Sequence, residues 1–476
     1  MIGFREKYNN WAPFLILFAL ALIRGLIFIS IFPPWLAPDE PAHFEAIRII
    51  GQLNQTPTEE VYQQTPMLPD MLSLFDKFSI WQESLRTPTI TLDTTTPPLV
   101  PFASYYPPIS QGSVVAAGSY PLIYHTLLAP ISAFTESLAL DQQVYILRLV
   151  SLLLTLAMIV SSWFFARMVF PNTTDFAIAA TSFIIFLPTQ FHINTAINTD
   201  VAATFAASVF YLLLVSVMVY QRWWLWLGLV VVTAFGLSIK PTTIFLAPTL
   251  VLLISGVWLK KYRLPRALLF GGLFLLVGLT LVGAVALFQA TEARRSVFSA
   301  LQTLPQTTNL AVLIPTRESL TLYFATAQFA FVTFWGVFGW ANIHIPFYWL
   351  GLLAGFIFVL LIGIAVYYWK NVVSNRQQPQ MLTDTQRAIL VVLLGSVIFA
   401  LIGIFAPIIA SQTDRWGPPG RYFLPTLLPV ALLLYLGFKQ ILPGRLNRLA
   451  APLWVTIWIL FDTATLLYVI LPVIYG

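Results

Sequence analysis

Long apolar runs recur along the whole chain, and they restrict its fold more than any other feature of the sequence. Each run has roughly 17–25 residues, the length that a helix needs to cross the hydrocarbon core of a bilayer. Only 9% of the 476 residues are charged, and the mean hydropathy is +0.81. The sequence therefore predicts an all-α polytopic membrane protein, with one integral membrane domain over residues 1–476.

Hydropathy together with loop charge predicts about eleven membrane-spanning helices. They lie near residues 11–34, 143–170, 175–195, 201–221, 223–239, 241–259, 265–289, 345–369, 387–411, 421–438 and 451–475. Two further apolar stretches, Tyr120–Phe134 and Leu320–Trp340, are predicted not to cross. The first is short and contains prolines, and the second carries many aromatic residues of the kind that favour a membrane interface.

Loop charge also predicts the orientation of the chain. If neither ambiguous stretch crosses, the basic loops, including the tetrad around Lys260, all lie on one side, which the positive-inside rule places in the cytoplasm. We therefore expect a multi-pass protein of the cell (plasma or inner) membrane with a cytoplasmic N-terminus. The first apolar run is longer than a signal-peptide core and has no small-residue cleavage site, which indicates an uncleaved span. Because the net charge of +6 is scattered over helix ends, it indicates membrane orientation and no nucleic-acid partner. The predicted spans make the lipid bilayer a partner.

Two segments outside the spans are expected on the extracytoplasmic side. Residues 35–119 form a long first loop, in which amphipathic patterns at Asp39–Leu53 and Met67–Leu85 predict juxtamembrane helices. A proline-rich stretch follows these two helices. Residues 290–344 form a second extracytoplasmic or interfacial segment.

Three acidic residues are the first candidates for chemistry, because carboxylates are costly next to a membrane. Asp39 and Glu40 follow the first span, and Asp200 closes a polar cluster after the third. Each could simply cap a helix, since acids are favoured at helix N-termini. Carboxylates facing one water-filled cleft could instead deprotonate an acceptor, hold a divalent metal, or stabilise positive charge at an anomeric carbon.

Three basic residues, Arg148, Lys240 and Arg421, are predicted at the same outer face. Basic side chains at headgroup depth suit a phosphate ester, and arginine can bind it through two hydrogen bonds. Anchoring at the interface is the alternative for each of them. Arg24 and Asp462 lie well inside spans, where we expect them to pair in a structural role.

The sequence does not identify a cofactor. Mg²⁺ or Mn²⁺ held by Asp39 and Asp200 is compatible with carboxylate chemistry, but residue spacing does not indicate it. The four histidines form no paired ligand motif, and the absence of cysteine excludes disulfides and thiolate metal sites. Because there is no phosphate loop, dinucleotide fingerprint or nucleophile elbow, soluble nucleotide chemistry is not expected.

Short motifs follow one another in an order typical of one superfamily. They are the acidic pair Asp39-Glu40, Ser119-Tyr120-Pro121-Leu122-Ile123-Tyr124-His125, Arg148-Leu149-Val150-Ser151, Asn198-Thr199-Asp200, Gly236-Leu237-Ser238-Ile239-Lys240 and Gly420-Arg421-Tyr422. In these motifs the chain resembles the GT-C superfamily of membrane glycosyltransferases, which use polyprenyl-phosphate sugars. It is most similar to the bacterial protein mannosyltransferase and aminoarabinose transferase-like branch, and to related multipass families of unknown function.

The resemblance implies an inverting transfer at the outer membrane surface, from a polyprenyl-phosphate-linked sugar donor to an extracytoplasmic glycan, lipid or protein acceptor. Lys240, Arg421 or Arg148 would meet the donor phosphate. Asp39 would be the leading catalytic carboxylate, assisted by Glu40 or Asp200. The other candidate substrate-binding residues are His43, Tyr124, His125, His192, Asn198 and Tyr422. Ser119-Tyr120 replaces the usual His-Pro, and no large C-terminal soluble domain follows, so the acceptor stays open.

Two other classes of function are compatible with the sequence. A lipid-linked glycan transporter or flippase would carry polar residues near the middle of several spans, where this chain has chiefly Arg24 and Asp462. A non-catalytic envelope scaffold would tolerate Asp39→Asn and Asp200→Asn without any loss of glycan.

Overall fold

The computed structural model is a bundle of helices in which only one short hairpin is formed by strands within the described residues. It describes residues 11–58, scattered positions between 61 and 74, and residues 122–262, 317–373, 382–411 and 419–475. The α-helices bounded there are α1 (Ala12–Ile31), α2 (Glu40–Gly51), α3 (Ile123–Phe134), α4 (Leu140–Val169), α5 (Asp175–Ile185), α6 (Pro188–Asn194), α7 (Thr199–Tyr220), α8 (Trp223–Leu237), α9 (Leu246–Tyr262), α10 (Arg317–Gly336), α11 (Phe347–Tyr368), α12 (Asp384–Ser411), α13 (Leu427–Ile441), α14 (Ala450–Thr465) and α15 (Leu471–Tyr475).

Shorter elements connect or extend several of these helices. Strands β1 (Val337–Phe338) and β2 (Ile343–His344) pair in antiparallel fashion, with Val337 opposite His344 and Phe338 opposite Ile343. The 3₁₀-helices are Pro241–Thr243, Gly420–Thr426 and Gly444–Leu449, and the π-helical turns are Trp369–Val373 and Leu466–Ile470.

Seven helical segments in the described residues are long and apolar enough to cross a membrane. An eighth is added if α5 and α6, which meet at an angle of 63°, form one broken span. The chain is therefore an all-α polytopic membrane protein, as its hydropathy predicts. Helices α8 and α9 fall on predicted spans but have only 15 and 17 residues. The remaining predicted span, 265–289, lies outside the described residues, so the total of eleven stays a prediction.

The two stretches predicted not to cross are absent from those seven segments. Helix α3 has 12 residues, or about 18 Å at the rise of an α-helix, which is well short of a bilayer core. Helix α10 has 20 residues but is not among the seven. The proline-rich part of the first loop, most of the predicted helix at Met67–Leu85, and residues 290–316 lie outside the described residues.

Contacts between helix termini define two ends of the bundle. At one end, the Tyr475 hydroxyl donates to the carbonyl of Ile31 (2.8 Å), close to the loop that carries Asp39. At the other, the Gln386 amide donates to the carbonyl of Val169 (2.9 Å). We call these the Asp39 end and the opposite end. The last turns of α4 and α13, which carry Arg167 and Lys439, lie at the opposite end.

Polar and small residues within the bundle fix how its helices pack. The buried Arg24 of α1 pairs with the buried Asp462 of α14, which confirms the predicted ion pair. Gly363 of α11 and Gly437 of α13 let two helix backbones meet, because a Cβ at either position would collide with the facing carbonyl. These contacts join α1 to α14 and α11 to α13.

Candidate functional site

Asp39 lies between α1 and α2, and its side chain does not cap α2. The residue has a left-handed backbone (φ 63°, ψ 0°) and makes no side-chain capping hydrogen bond. Its Oδ2 accepts a hydrogen bond of 2.6 Å from Nη2 of Arg421 instead. The carboxylate is 30% exposed, whereas Arg421 is 15% exposed. Helix capping therefore does not explain Asp39.

Asp200 is also free of a capping role. The cap of α7 is Asn198, whose Oδ1 accepts the backbone N–H groups of Asp200 (2.8 Å) and Val201 (3.3 Å). The Asn198 amide also donates to the carbonyl of Ile193 (2.8 Å), so this predicted substrate ligand is engaged within the protein. The Asp200 carboxylate is left to accept a hydrogen bond of 2.6 Å from the Lys240 ammonium.

Arg421 joins the two carboxylates into one charged cluster. Its Nη2 binds Asp39, while its Nε lies 3.7 Å from Oδ2 of Asp200. The ring of Tyr422 lies 4.9 Å from the Lys240 ammonium and 5.9 Å from the Arg421 guanidinium. Two anions and two cations thus compensate one another, as buried charges require. A ligand phosphate could bind here by drawing the cations away from their carboxylates.

Glu40 and Arg148 form a second ion pair, which is wholly internal. The Glu40 carboxylate accepts two hydrogen bonds, of 2.7 and 2.6 Å, from Nε and Nη2 of Arg148, and both side chains are at most 2% exposed. Their remaining hydrogen bonds go to backbone groups of Ile29, Phe32, Pro33, Trp35 and Ile197. The pair ties the end of α1 to α2, α4 and the loop before α7. Both side chains therefore bond within the protein, while the catalytic role predicted for Glu40 and the substrate-binding role predicted for Arg148 stay predictions.

The histidines predicted at the site are buried. Nδ1 of His43 and Nε2 of His125 are 2.9 Å apart, with stacked rings, beside the ring of Tyr124. His192 accepts a hydrogen bond of 3.1 Å from the backbone of Gly339 and packs against the ring of Phe32. Burial lowers the pKa of His43 to about 3, although the negative charge of Asp39 acts to raise it. Burial also lowers the pKa of His125 well below its usual value. These two imidazoles are therefore neutral at ordinary pH.

The neutral imidazoles predict that the protein loses stability in acid. An unfolded chain protonates histidine below about pH 6.5, whereas folded His43 stays neutral to about pH 3. The unfolded state therefore binds more protons between these values, and stability falls as the pH drops through that window. At pH 5, the free energy of unfolding is lower by about 2 kcal/mol because of His43 alone.

Melting temperatures of the purified protein between pH 7 and pH 5 test this prediction. His43→Phe should flatten the pH dependence, while His344→Phe, at an exposed position, serves as the matched control. Parallel curves for wild type and His43→Phe would contradict it.

A second titration concerns Asp39. Burial alone would raise the pKa of its carboxyl, but neighbouring charges, chiefly that of Arg421, hold the pKa below its usual value. While this ion pair persists, Asp39 is a carboxylate with a low affinity for protons. Its strength as a base therefore depends on where the Arg421 guanidinium lies.

A cleft of about 290 Å³ opens beside Asp39 and Arg421. Its other walls include Thr189, Ile193, Phe329 and the tip of the β1–β2 hairpin. Three non-glycine residues near it have left-handed backbones, at a cost of roughly 1–2 kcal/mol each; these are Trp35, Asp39 and Ala341. Such strain concentrates at functional sites.

Neither Thr189 nor the hairpin tip is recognisable in the sequence as part of a site. The available signals were Pro188, which interrupts an apolar run, and Gly339 in an aromatic segment. Neither signal indicates that α6 and the hairpin meet.

Comparison with known proteins provides no family assignment. No protein-family model matches the sequence, and no curated protein matches it. Within the described residues there is also no group of three or more side chains suited to hold a metal ion.

Proposed function

We propose that the protein is a membrane glycosyltransferase, which moves a sugar from a polyprenyl-phosphate donor to an extracytoplasmic acceptor and inverts the anomeric centre. One observation carries the proposal: a partly exposed carboxylate, Asp39, lines a cleft beside Arg421, with Lys240 close behind. A transfer from a sugar phosphate needs a base next to cations that hold the leaving phosphate.

Donor binding is proposed to exchange ion-pair partners. The donor phosphodiester draws Arg421 and Lys240 away from Asp39 and Asp200, because a phosphate oxygen is also a strong acceptor for both cations. Once Arg421 leaves Asp39, the chief charge that lowers the pKa of the carboxyl is lost, so burial has more weight and the pKa rises. The bound donor thereby strengthens the base.

The transfer itself is a direct displacement. The acceptor oxygen attacks the anomeric carbon from the face opposite the phosphate, and its proton passes to Asp39. The bond between the anomeric carbon and the phosphate oxygen breaks, and its electron pair stays on that oxygen. The products are an inverted glycoside, protonated Asp39 and a polyprenyl phosphate with one additional negative charge. Arg421 and Lys240 stabilise that charge where it develops.

The deciding test is transfer by the purified protein in lipid nanodiscs. Polyprenyl phosphate carrying a radiolabelled sugar is supplied with cell-envelope extract, and both the labelled acceptor and the released polyprenyl phosphate are measured. Stoichiometric appearance of both products supports the proposal. Movement of intact donor between the leaflets of proteoliposomes, with no product, would assign a flippase instead. If the protein neither transfers the sugar nor moves the donor, and gene deletion leaves the surface glycans unaltered, the remaining class of function is a non-catalytic scaffold.

The orientation of the protein yields a separate prediction. The chain has no cysteine, so single-cysteine variants report sidedness without background. Ser137 is exposed at the Asp39 end, and Arg445 is exposed at the opposite end. A membrane-impermeant maleimide applied to intact cells should label the Ser137→Cys variant, whereas labelling of the Arg445→Cys variant should require permeabilisation. The reverse pattern would place the Asp39 cluster in the cytoplasm and contradict the proposed extracytoplasmic reaction.

A further inference from the structure

Two hydrogen bonds hold the tip of the β1–β2 hairpin against the cleft. The backbone N–H of Gly339 donates to Nε2 of His192 (3.1 Å), and the indole of Trp340 donates to the carbonyl of Trp35 (2.8 Å). Gly339 has a left-handed backbone (φ 61°), which suits glycine at this turn. Trp340 therefore presents a fixed aromatic wall to whatever occupies the cleft.

Thr189 lines the same cleft. The residue is 1% exposed, and its buried Oγ1 has no hydrogen-bond partner. The other threonine in the lining, Thr333, has its hydroxyl engaged, since it accepts the backbone N–H of Gly420 (2.6 Å) and donates to the carbonyl of Phe329 (2.7 Å). A buried hydroxyl without a partner is destabilising, so its retention at a cleft points to a ligand that satisfies it.

The dimensions and chemistry of the cleft define what it can hold. Its volume of about 290 Å³ is at the lower limit of typical ligand sites, which suits one ring-sized group. The aromatic side chains of Phe329 and Trp340 lie on the wall, while Asp39 and Arg421 are charged. A pyranose has apolar C–H faces and a hydroxylated edge, so it matches a site with aromatic walls and an unpaired hydroxyl.

We propose that Thr189 and Trp340 form the subsite for the single sugar ring of the donor, and that Thr189 is a specificity-determining residue that hydrogen-bonds one sugar hydroxyl. This inference rests on the proposed glycosyltransferase function and assigns the recognition of the sugar. The phosphate is recognised separately by Arg421 and Lys240.

The test compares binding of two kinds of lipid to the purified protein in nanodiscs. The probes are undecaprenyl phosphate and undecaprenyl phosphate carrying glucose, mannose, galactose or aminoarabinose. Thr189→Val should weaken binding of the preferred sugar lipid by about 3- to 10-fold, while binding of bare undecaprenyl phosphate is unchanged. Its ligand-free melting temperature should equal or exceed that of wild type, because an unpaired hydroxyl is removed. The matched control is Thr233→Val, whose native hydroxyl bonds within α8.

Trp340 gives a second comparison. Trp340→Phe keeps an aromatic wall and should retain most of the affinity for the sugar lipid, whereas Trp340→Leu should lose about 10-fold.

Every other outcome contradicts either the sugar subsite or the proposed function. Equal losses for both kinds of lipid, a melting temperature lowered by Thr189→Val, or a wild type that does not prefer any sugar lipid to the bare phosphate would overturn the subsite. A wild type that binds none of these lipids would overturn the proposed function itself.

Discussion

Asp39→Asn is expected to lower the rate of sugar transfer by about 10²–10⁴-fold while leaving the protein folded. Asparagine has nearly the same shape but cannot take the proton of the acceptor. Arg421 would still have the carboxylate of Asp200, 3.7 Å from its Nε, so the substitution does not leave the guanidinium without an anionic neighbour. The rate of labelled product formation in nanodiscs measures the effect.

Donor binding separates this role from a general disturbance of the site. Asp39→Asn should bind the donor at least as tightly as wild type, because the carboxylate no longer competes with the phosphate for Arg421. Asp141→Asn provides a matched control, since Asp141 lies in the first turn of α4 and its carboxylate bonds only to the neighbouring Gln142 N–H among the hydrogen bonds described. Turnover by Asp39→Asn equal to that of wild type would refute the assignment of the base.

Arg148→Met is expected to have the largest effect on stability, lowering the free energy of unfolding by about 3–5 kcal/mol. The substitution leaves Glu40, which is completely buried, without its charged partner. It also removes donors from the backbone carbonyls of Phe32 and Pro33, at the end of α1. The fraction of protein that remains monodisperse after heating in detergent, measured against temperature, checks the expectation.

The double variant Glu40→Gln with Arg148→Met should recover part of that loss, because it removes the unpaired buried charge. Arg222→Met is the matched control, since Arg222 is exposed between α7 and α8. Wild-type heat resistance in the single variant Arg148→Met would show that the pair does not hold this end of the bundle together.

The sequence does not distinguish the adjacent acids Asp39 and Glu40, although the fold gives them different surroundings. Asp39 and Glu40 are equivalent in the sequence, since both follow a span and precede a helix. In the fold, the left-handed backbone at Asp39 accompanies a side chain that reaches the cleft, whereas Glu40 binds Arg148 in the interior. Similarly, an acid at the start of α7 was an expected cap, but the neighbouring Asn198 performs that role. Side-chain direction at a helix start depends on backbone geometry that residue type does not specify.

The broken helix α5–α6 is a comparable case. Hydropathy predicts one span over residues 175–195, and it overlooks the bend of 63° that places Thr189 beside Asp39. Pro188 permits such a bend, because it removes a backbone donor. In the fold, α6 packs against α1, α10 and the 3₁₀-helix Gly420–Thr426, contacts that hydropathy does not predict.

The sequence by itself determined the class of protein, most of the membrane-spanning helices, the internal Arg24–Asp462 pair and the charged residues that are candidates for chemistry. Partition into a bilayer is a local property, which sums over roughly twenty consecutive side chains and needs no knowledge of the rest of the chain. Only the tertiary structure decided which charges meet at the Asp39 end. The sequence places three acids and three basic residues at that face, and it does not specify that Asp39 binds Arg421, 382 residues away, while Glu40 binds Arg148. These contacts depend on how the spans pack, and they place Asp39, the proposed base, beside the cleft and Glu40 in the interior.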